Sequence, residues 1–253
     1  MLRIGLVGFG KTGRAVASVM MERDDVRLEW ILRRSARLDH RHASEVIGVD
    51  SDDPAVIHSA ADAPAAALLD EFPVDAVVDF SSVTGIDHYG DAAAERGVSI
   101  VCAVSKFDRD VQPRFCEWGR HTRALWSPNI TLGINFMLLA AKTLRAIAPC
   151  ADVEVVEEHF KAKPEVSGTA VRLAEGLGLD PDGIKTVRAG GIIGTHELVF
   201  GFPFQVVRLR HESITREAFG NGAIFAAQHL HGRPNGFYRM EDLMAPYFAR
   251  VRA

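Results

Sequence analysis

Leu2-Arg3-Ile4-Gly5-Leu6-Val7-Gly8-Phe9-Gly10-Lys11-Thr12-Gly13-Arg14-Ala15-Val16-Ala17-Ser18-Val19-Met20 is the stretch on which the fold turns. An apolar run meets a glycine-rich turn, and the turn opens into a second apolar segment. Strand, turn and helix thus stand in the order a dinucleotide site requires. Gly8 makes the turn, Gly10 lets the backbone approach a pyrophosphate, and Gly13 lets the helix pack on the strand. Lys11 and Thr12, inside the same turn, are expected to face the nucleotide. A bare G-x-G-x-x-G is a weak signal, and a glycine turn without ligand competes with this reading. Its place straight after one strand, with another strand following, favours the nucleotide.

Moving outward, the second strand is predicted over Val26 to Leu32. A dinucleotide fold usually ends that strand on an acid that holds a ribose hydroxyl, but here the end reads Arg33-Arg34-Ser35-Ala36-Arg37. Guanidinium groups suit a 2′-phosphate, so NADPH is expected in preference to NADH. Glu29 lies too early in the strand to take the acid's place, and a solvated basic loop is the competing reading. Further strands are predicted at Val74 to Phe80 and Val98 to Ala103, with a helix from Thr84 to Arg96 between them. Such alternation makes a doubly wound parallel sheet, whose ligands sit at the carboxyl ends of the strands. That selects Phe80, Ser81, Ala103 and Ser105 as cofactor-facing positions. His40, His42 and His58 read as surface histidines, with no metal site expected, because neither their spacing nor any cysteine partner supports one.

Composition narrows the classes. The 253 residues, 47% of them hydrophobic, suffice for one large or two modest globular domains. A net charge of −4 argues against a nucleic-acid or anionic-membrane surface. Cys102, Cys116 and Cys150 show neither metal spacing nor an even count, which points to a reducing compartment, read here as the cytoplasm. No segment approaches the ~18 apolar residues of a membrane span.

The Pro/Asn/Gly-rich segment Ser127 to Asn135 is the natural domain boundary. Beyond it, an apolar helix is predicted over Phe136 to Ile147 and a strand at Val153 to Val156. Then comes Glu157-Glu158-His159-Phe160-Lys161-Ala162-Lys163-Pro164-Glu165-Val166-Ser167-Gly168-Thr169-Ala170. A strand end there delivers a histidine and a lysine, four residues apart, to a loop that closes on a helix start. Ser167 is a good cap, Gly168 allows close approach, and the N–H groups of the first turn attract an anion such as a carboxylate. Histidine titrates nearest neutrality, so His159 is a candidate proton donor. A capped helix after a solvated basic loop is the plainer alternative. Three β-rich segments follow, Lys185 to Ala189, His196 to Phe200 and Gln205 to His211, with one sheet face expected open to a partner copy. A long helix to Leu230, interrupted at Gly220-Asn221-Gly222, and a closing helix from Phe237 to Phe248 complete the chain.

The glycine turn, Val78-Asp79-Phe80-Ser81, Ser127-Pro128-Asn129, Glu157 to Ala170, Arg188 to His196 and Phe219-Gly220-Asn221-Gly222-Ala223 together resemble the 4-hydroxy-tetrahydrodipicolinate reductase (dihydrodipicolinate reductase) family, over nearly the whole chain. The resemblance implies an α/β protein with an N-terminal doubly wound, Rossmann-like sheet at 1–127 and an α+β substrate-binding and oligomerisation domain at 128–231, with the helix at 232–253 packing back on the first. It implies an NADPH- or NADH-dependent reductase of a cyclic, dicarboxylated imine-type substrate on the diaminopimelate and lysine pathway, assembled as a homotetramer. His159 then corresponds to the proton donor, Lys163 to the second acid or carboxylate contact, and Ser167-Gly168-Thr169 to the carboxylate cradle. Gly8 to Gly13, Ala103 to Ser105, Ser127 and Asn129 fall on its cofactor loops. Four features depart from the family pattern. Phe160 stands where a second histidine is usual, Pro164-Glu165-Val166 is a residue shorter than an Asp-x-Pro loop, Ala103-Val104-Ser105-Lys106 replaces a Gly-Thr-Thr-Gly loop, and Lys11-Thr12 replaces an Arg-Met pair in a tighter turn. All four touch the cofactor or substrate walls. A paralogue reducing another imine or enoyl acid, and a nucleotide-sensing protein without turnover, remain the alternative readings.

Overall fold

The computed structural model describes residues 1–250. In chain order its elements are β1 (Leu2–Val7), α1 (Lys11–Met21), β2 (Val26–Arg33), α2 (Ala43–Ile47), β3 (Val56–Ser59), α3 (Ala65–Glu71), β4 (Ala76–Asp79), α4 (Ile86–Glu95), β5 (Ser99–Cys102), α5 (Gln112–Trp118) and β6 (Arg123–Trp126). There follow α6 (Leu132–Ile147), β7 (Asp152–His159), α7 (Gly168–Gly176), β8 (Lys185–Arg188), β9 (Thr195–Phe202), β10 (Gln205–Glu212), α8 (Glu217–Leu230), β11 (Gly236–Tyr238) and α9 (Met240–Arg250). Two compact units result: Met1–Thr131 with the chain from Phe219 onward, and Leu132–Ala218.

The first unit is a seven-stranded sheet in the order β11-β6-β5-β4-β1-β2-β3, parallel at every pairing. Its central strands are apolar without alternation: Ile4, Leu6, Val77, Val78, Ile100 and Val101 are fully buried. Helices cover both faces of such a sheet, and of these three strands only Arg3, near the start of β1, is not buried. The strand order reverses between β1 and β4. A crevice opens there at the carboxyl ends, the usual place for a ligand in doubly wound sheets.

Three expectations are corrected in this unit. The boundary predicted after 127 falls later, because Ser127 to Thr131 stays with the first sheet, and α8 from Phe219 onward belongs there too. Gly220 and Gly222 do not interrupt α8. A Cβ on Gly220 would stand 2.9 Å from the Cβ of Val19 in α1, and one on Gly222 would stand 1.9 Å from the carbonyl oxygen of Ile130. The glycines are there for close packing along a continuous helix that buries Ala223, Ile224, Ala226, Ala227 and Leu230. The third correction is His58, expected on the surface, which is buried in β3. Of the closing segment 232–253, α9 lies in the first unit with Met240 and Leu243 buried, and positions 251–253 are outside the described residues.

The second unit is a four-stranded sheet in the order β10-β9-β7-β8, with β7 and β8 parallel and the other pairs antiparallel. Helices α6 and α7 cover one face, burying Ile134, Met137, Leu138, Leu173 and Leu177 against Val155, Leu198 and Phe200. Alternation along β7 places Glu157 and His159 on the same face as Val155, so the apolar core runs directly into a polar cluster. The opposite face mixes valines with ion pairs: Arg208 to Glu197 at 2.8 Å, and Arg210 to Glu212 at 2.7 Å and to Glu158 at 3.8 Å. Among the described residues no helix is long and apolar enough to cross a membrane.

Candidate active site

The glycines of the β1–α1 turn have separate tasks. Gly8 takes a φ of +98°, and a Cβ there would lie 2.7 Å from the Phe80 carbonyl, so both its conformation and its neighbours require glycine. A Cβ on Gly13 would stand 2.1 Å from the Gly8 oxygen, which is the helix-to-turn contact. Gly10 has nothing within 4 Å of its Cβ position, so the space it leaves open belongs to a ligand or to solvent. No side chain caps α1, leaving its first N–H groups to an outside acceptor.

Two hollows flank this turn within the first unit. One, of about 220 Å³, is lined by Thr12, Phe80, Ser81, Ala103, Ser105 and Pro128, among others. The other, of about 50 Å³, is lined by Gly8, Arg33, Arg34, Ser81 and Ser82, with Thr84 and His88 beside them. Arg33 lines that second hollow, and its Nη1 is buried with no hydrogen-bond partner. An orphaned guanidinium nitrogen is costly unless an anion completes it. Ser127 and Asn129 do not line either hollow. Ser127 Oγ donates to the Asn129 carbonyl at 2.7 Å, and Asn129 Oδ1 accepts from Thr131 N–H at 3.1 Å and Thr131 Oγ1 at 2.7 Å. Their polar atoms build the turn, and Pro128 presents the wall.

Beneath Phe80 and Ser81 lies a fully buried acid. Asp79 Oδ1 accepts the Ser81 N–H at 2.7 Å and its Oδ2 accepts the Tyr89 hydroxyl at 3.1 Å. Burial pushes its pKa up to about 6, against the pull of those donors. The acid therefore holds the loop after β4 in place under Phe80 and Ser81.

In the second unit, His159 stands at the end of β7 with its Nδ1 bonded to the Glu157 carboxylate, itself fully buried. Burial alone would push Glu157 up, but the Arg188 guanidinium, 2.5 Å from Oε1, and the His159 ring outweigh it and hold the carboxyl below the usual range. An anionic partner on Nδ1 fixes that nitrogen as the donor, so any proton the ring gives away leaves from Nε2. A Cβ on Gly194 would come within 3.0 Å of that Nε2, so the absent side chain leaves the nitrogen accessible. Arg188 also donates from Nε to the Lys163 carbonyl at 3.1 Å and from Nη2 to the Glu165 carbonyl at 2.9 Å. One guanidinium thereby ties the loop that carries Lys163 to the strand that carries His159. Lys163 has no ion-pair partner among the described residues, and its charge helps to lower the pKa of nearby His196.

Ser167 caps α7, accepting the Thr169 N–H at 3.2 Å, and its hydroxyl lies 2.9 Å from His196 Nε2. Burial, reinforced by the charge of His159, lowers His196 to about 4, so its ring is neutral at pH 7. The His159 and His196 rings meet edge-on at 5.3 Å. His159, Lys163 and Ser167, chosen from sequence, thus share one cluster; Gly168 is exposed and Thr169 half-buried at the helix start.

The family model described as dihydrodipicolinate reductase, N-terminus, matches residues 2–130, and that described as dihydrodipicolinate reductase, C-terminus, matches residues 130–244. The chain belongs to the dihydrodipicolinate reductase family. Curated relatives in that family include a 4-hydroxy-tetrahydrodipicolinate reductase of Anaeromyxobacter sp. (strain Fw109-5), 27% identical over 95% of this chain and 96% of its own length. Another, from Anaplasma marginale (strain St. Maries), is 30% identical over 96% of this chain and 99% of its own. Among solved structures, the dipicolinate-bound dihydrodipicolinate reductase from Paenisporosarcina sp. TG-14 aligns at a TM-score of 0.78 and 20% identity, covering 94% of this chain and 97% of that one. That likeness is one of fold.

Sequence reasoning noted Glu157, Arg188 and His196 only as parts of family-like segments and assigned them no role. Glu157 carried a signal, since it shares a strand face with His159. The pairing of Glu157 with His196 across β7 and β9, and of His159 with Arg188 across β7 and β8, depends on strand register that the sequence does not state.

Proposed function

We propose that this dihydrodipicolinate reductase family member reduces 4-hydroxy-tetrahydrodipicolinate to tetrahydrodipicolinate, taking its reducing equivalents from NADPH in preference to NADH. The observation that carries the reading is the anion-held imidazole of His159 in one cluster with an unpaired lysine and a capped helix start. Such a set receives a carboxylated ring and gives it a proton. The relatives' shared name supports the substrate, and the orphaned Nη1 of Arg33 supports the 2′-phosphate. The open space at Gly10, the uncapped start of α1 and the two hollows fit a dinucleotide.

When bound there, the reduced nicotinamide supplies the hydride. The chain's own residues do the rest. Lys163 and the first turn of α7, from Ser167 to Thr169, hold a substrate carboxylate. Glu157 keeps the Nδ1 side of His159 occupied, and Nε2 delivers the proton that balances the incoming hydride, while the 4-hydroxyl of the substrate departs as water. The neutral ring of His196 fixes the Ser167 hydroxyl at the helix start. A homotetramer accords with the family resemblance, and light scattering of the purified chain tests it.

The deciding assay follows oxidation of each cofactor at 340 nm with enzymatically generated 4-hydroxy-tetrahydrodipicolinate. Turnover with NADPH, and growth of a diaminopimelate-requiring strain that carries the gene, are expected. NADPH binding without turnover on this substrate would overturn the reading.

A further inference from the structure

In β3, His58 is only 9% exposed and its Nε2 has no hydrogen-bond partner. Leaving a buried imidazole nitrogen unsatisfied costs free energy unless a ligand completes it. A neutral imidazole offers a lone pair at one of its ring nitrogens. Asp39 and His40, in the turn after β2, converge on it. One donor atom from each of the three residues lies within 4.8 Å of the other two.

The backbone holds the three residues in place. The Ser59 N–H donates to Asp39 Oδ1 at 2.9 Å, and the His40 N–H donates to the Ile57 carbonyl at 2.7 Å. The second Asp39 oxygen stands 3.3 Å from His40 Nε2. The carboxylate of Glu71 adds negative potential around His58. Two imidazoles and a carboxylate suit zinc and its neighbours in the first transition row better than magnesium or calcium, which prefer all-oxygen shells. Zinc bonds of about 2.0–2.1 Å put tetrahedral ligand atoms roughly 3.3 Å apart. Closing from 4.8 Å at most needs a movement of up to about 1.5 Å. The His40 side chain, 80% exposed, is free to make it.

We propose that Asp39, His40 and His58 form a binding site for a divalent transition-metal ion of the zinc type, with its remaining positions taken by water. The site is separate from the substrate cluster, and its place suggests what it does. In the β2–β3 register His58 is opposite Leu32 and Ser59 is opposite Arg33, and the Ala60 N–H donates to the Arg33 carbonyl at 2.7 Å. A bound ion would brace the strand end next to the arginines of the smaller hollow.

The test uses the full chain, stripped with chelator and titrated with Co²⁺ and then with competing Zn²⁺. One ion per chain, a Co²⁺ ligand-field spectrum of low coordination number, and a raised melting temperature with Zn²⁺ are expected. His40→Asn keeps a residue that tolerates the left-handed backbone, at φ 60°, and should weaken binding about tenfold or more. His58→Ala should abolish binding, with circular dichroism checking that the variant folds. His42→Ala, an exposed neighbour outside the trio, should bind as the wild type does. The proposal is overturned if the wild type fails to bind stoichiometrically. It is equally overturned if His40→Asn binds as tightly as the wild type, or if His42→Ala loses as much as His40→Asn.

Discussion

Glu157 sets what His159 can do. A buried carboxylate between an imidazole and a guanidinium keeps the ring oriented and gives the imidazolium a counter-charge. His159→Ala is expected to lower kcat by about a hundredfold or more, the usual worth of a positioned acid. Glu157→Gln preserves shape but removes the charge, and should lower kcat about tenfold or more with KM nearly unchanged, as steady-state kinetics will show. An equal loss in both parameters would assign Glu157 to binding instead. At the other site, Arg33→Ala should raise the KM for NADPH by roughly tenfold to a hundredfold while that for NADH stays within about twofold, since only the first carries the phosphate. His159, Lys163 and Ser167 could be grouped from the sequence because they occupy one short segment. Their partners Arg188 and His196 could not, since hydrogen bonds across strands depend on register, which no local pattern of residues encodes.

The glycine turn gives the clearest contrast at the level of an element. Gly10→Ala introduces no clash and keeps an ordinary φ of −79°, so thermal unfolding should shift by no more than about 0.5 kcal/mol. The nucleotide's KM should nonetheless rise, because the methyl fills space on which the pyrophosphate depends. Gly8→Ala should cost about 1–3 kcal/mol of stability, since the left-handed backbone and the Phe80 carbonyl both oppose a Cβ. If both variants lose only stability, the turn is structural and the cofactor lies elsewhere. Strand, turn and helix could be read directly here because each glycine serves a local need. The glycines of α8 misled for the opposite reason: they answer to Val19 and Ile130, residues remote in sequence, and the same residue type that breaks an isolated helix allows this one to pack closely.

For the whole chain, two buried groups set opposing responses to pH. His196 is held at about 4 in the folded protein against an ordinary 6.5, so the stability it contributes is present above pH 6.5 and is lost as pH falls from 6.5 to 4. Asp79 is raised to about 6 from 3.8, so its contribution is greatest below 3.8 and is lost as pH rises to 6. Each amounts to about 3 kcal/mol at full extent. His196→Gln should therefore lose less stability than the wild type on acidification from pH 6.5 to 4, measured by chemical denaturation at each pH. A steeper loss in the variant would refute the assignment. Alternating strands and helices made the parallel sheet legible as a class. The limits of the units were not, because Ser127 to Thr131 and α8 are claimed by packing that has no counterpart in local composition.

The strand bordering β6 is β11, which the gene encodes only after the whole of the second unit. During synthesis, Leu132–Ala218 has emerged complete while the seven-stranded sheet still lacks its outermost member. The backbone edge of Arg123–Trp126 stays unpaired until Gly236–Tyr238 leaves the ribosome. That interval is when the nascent chain is most exposed to mispairing with its neighbours and most in need of a chaperone.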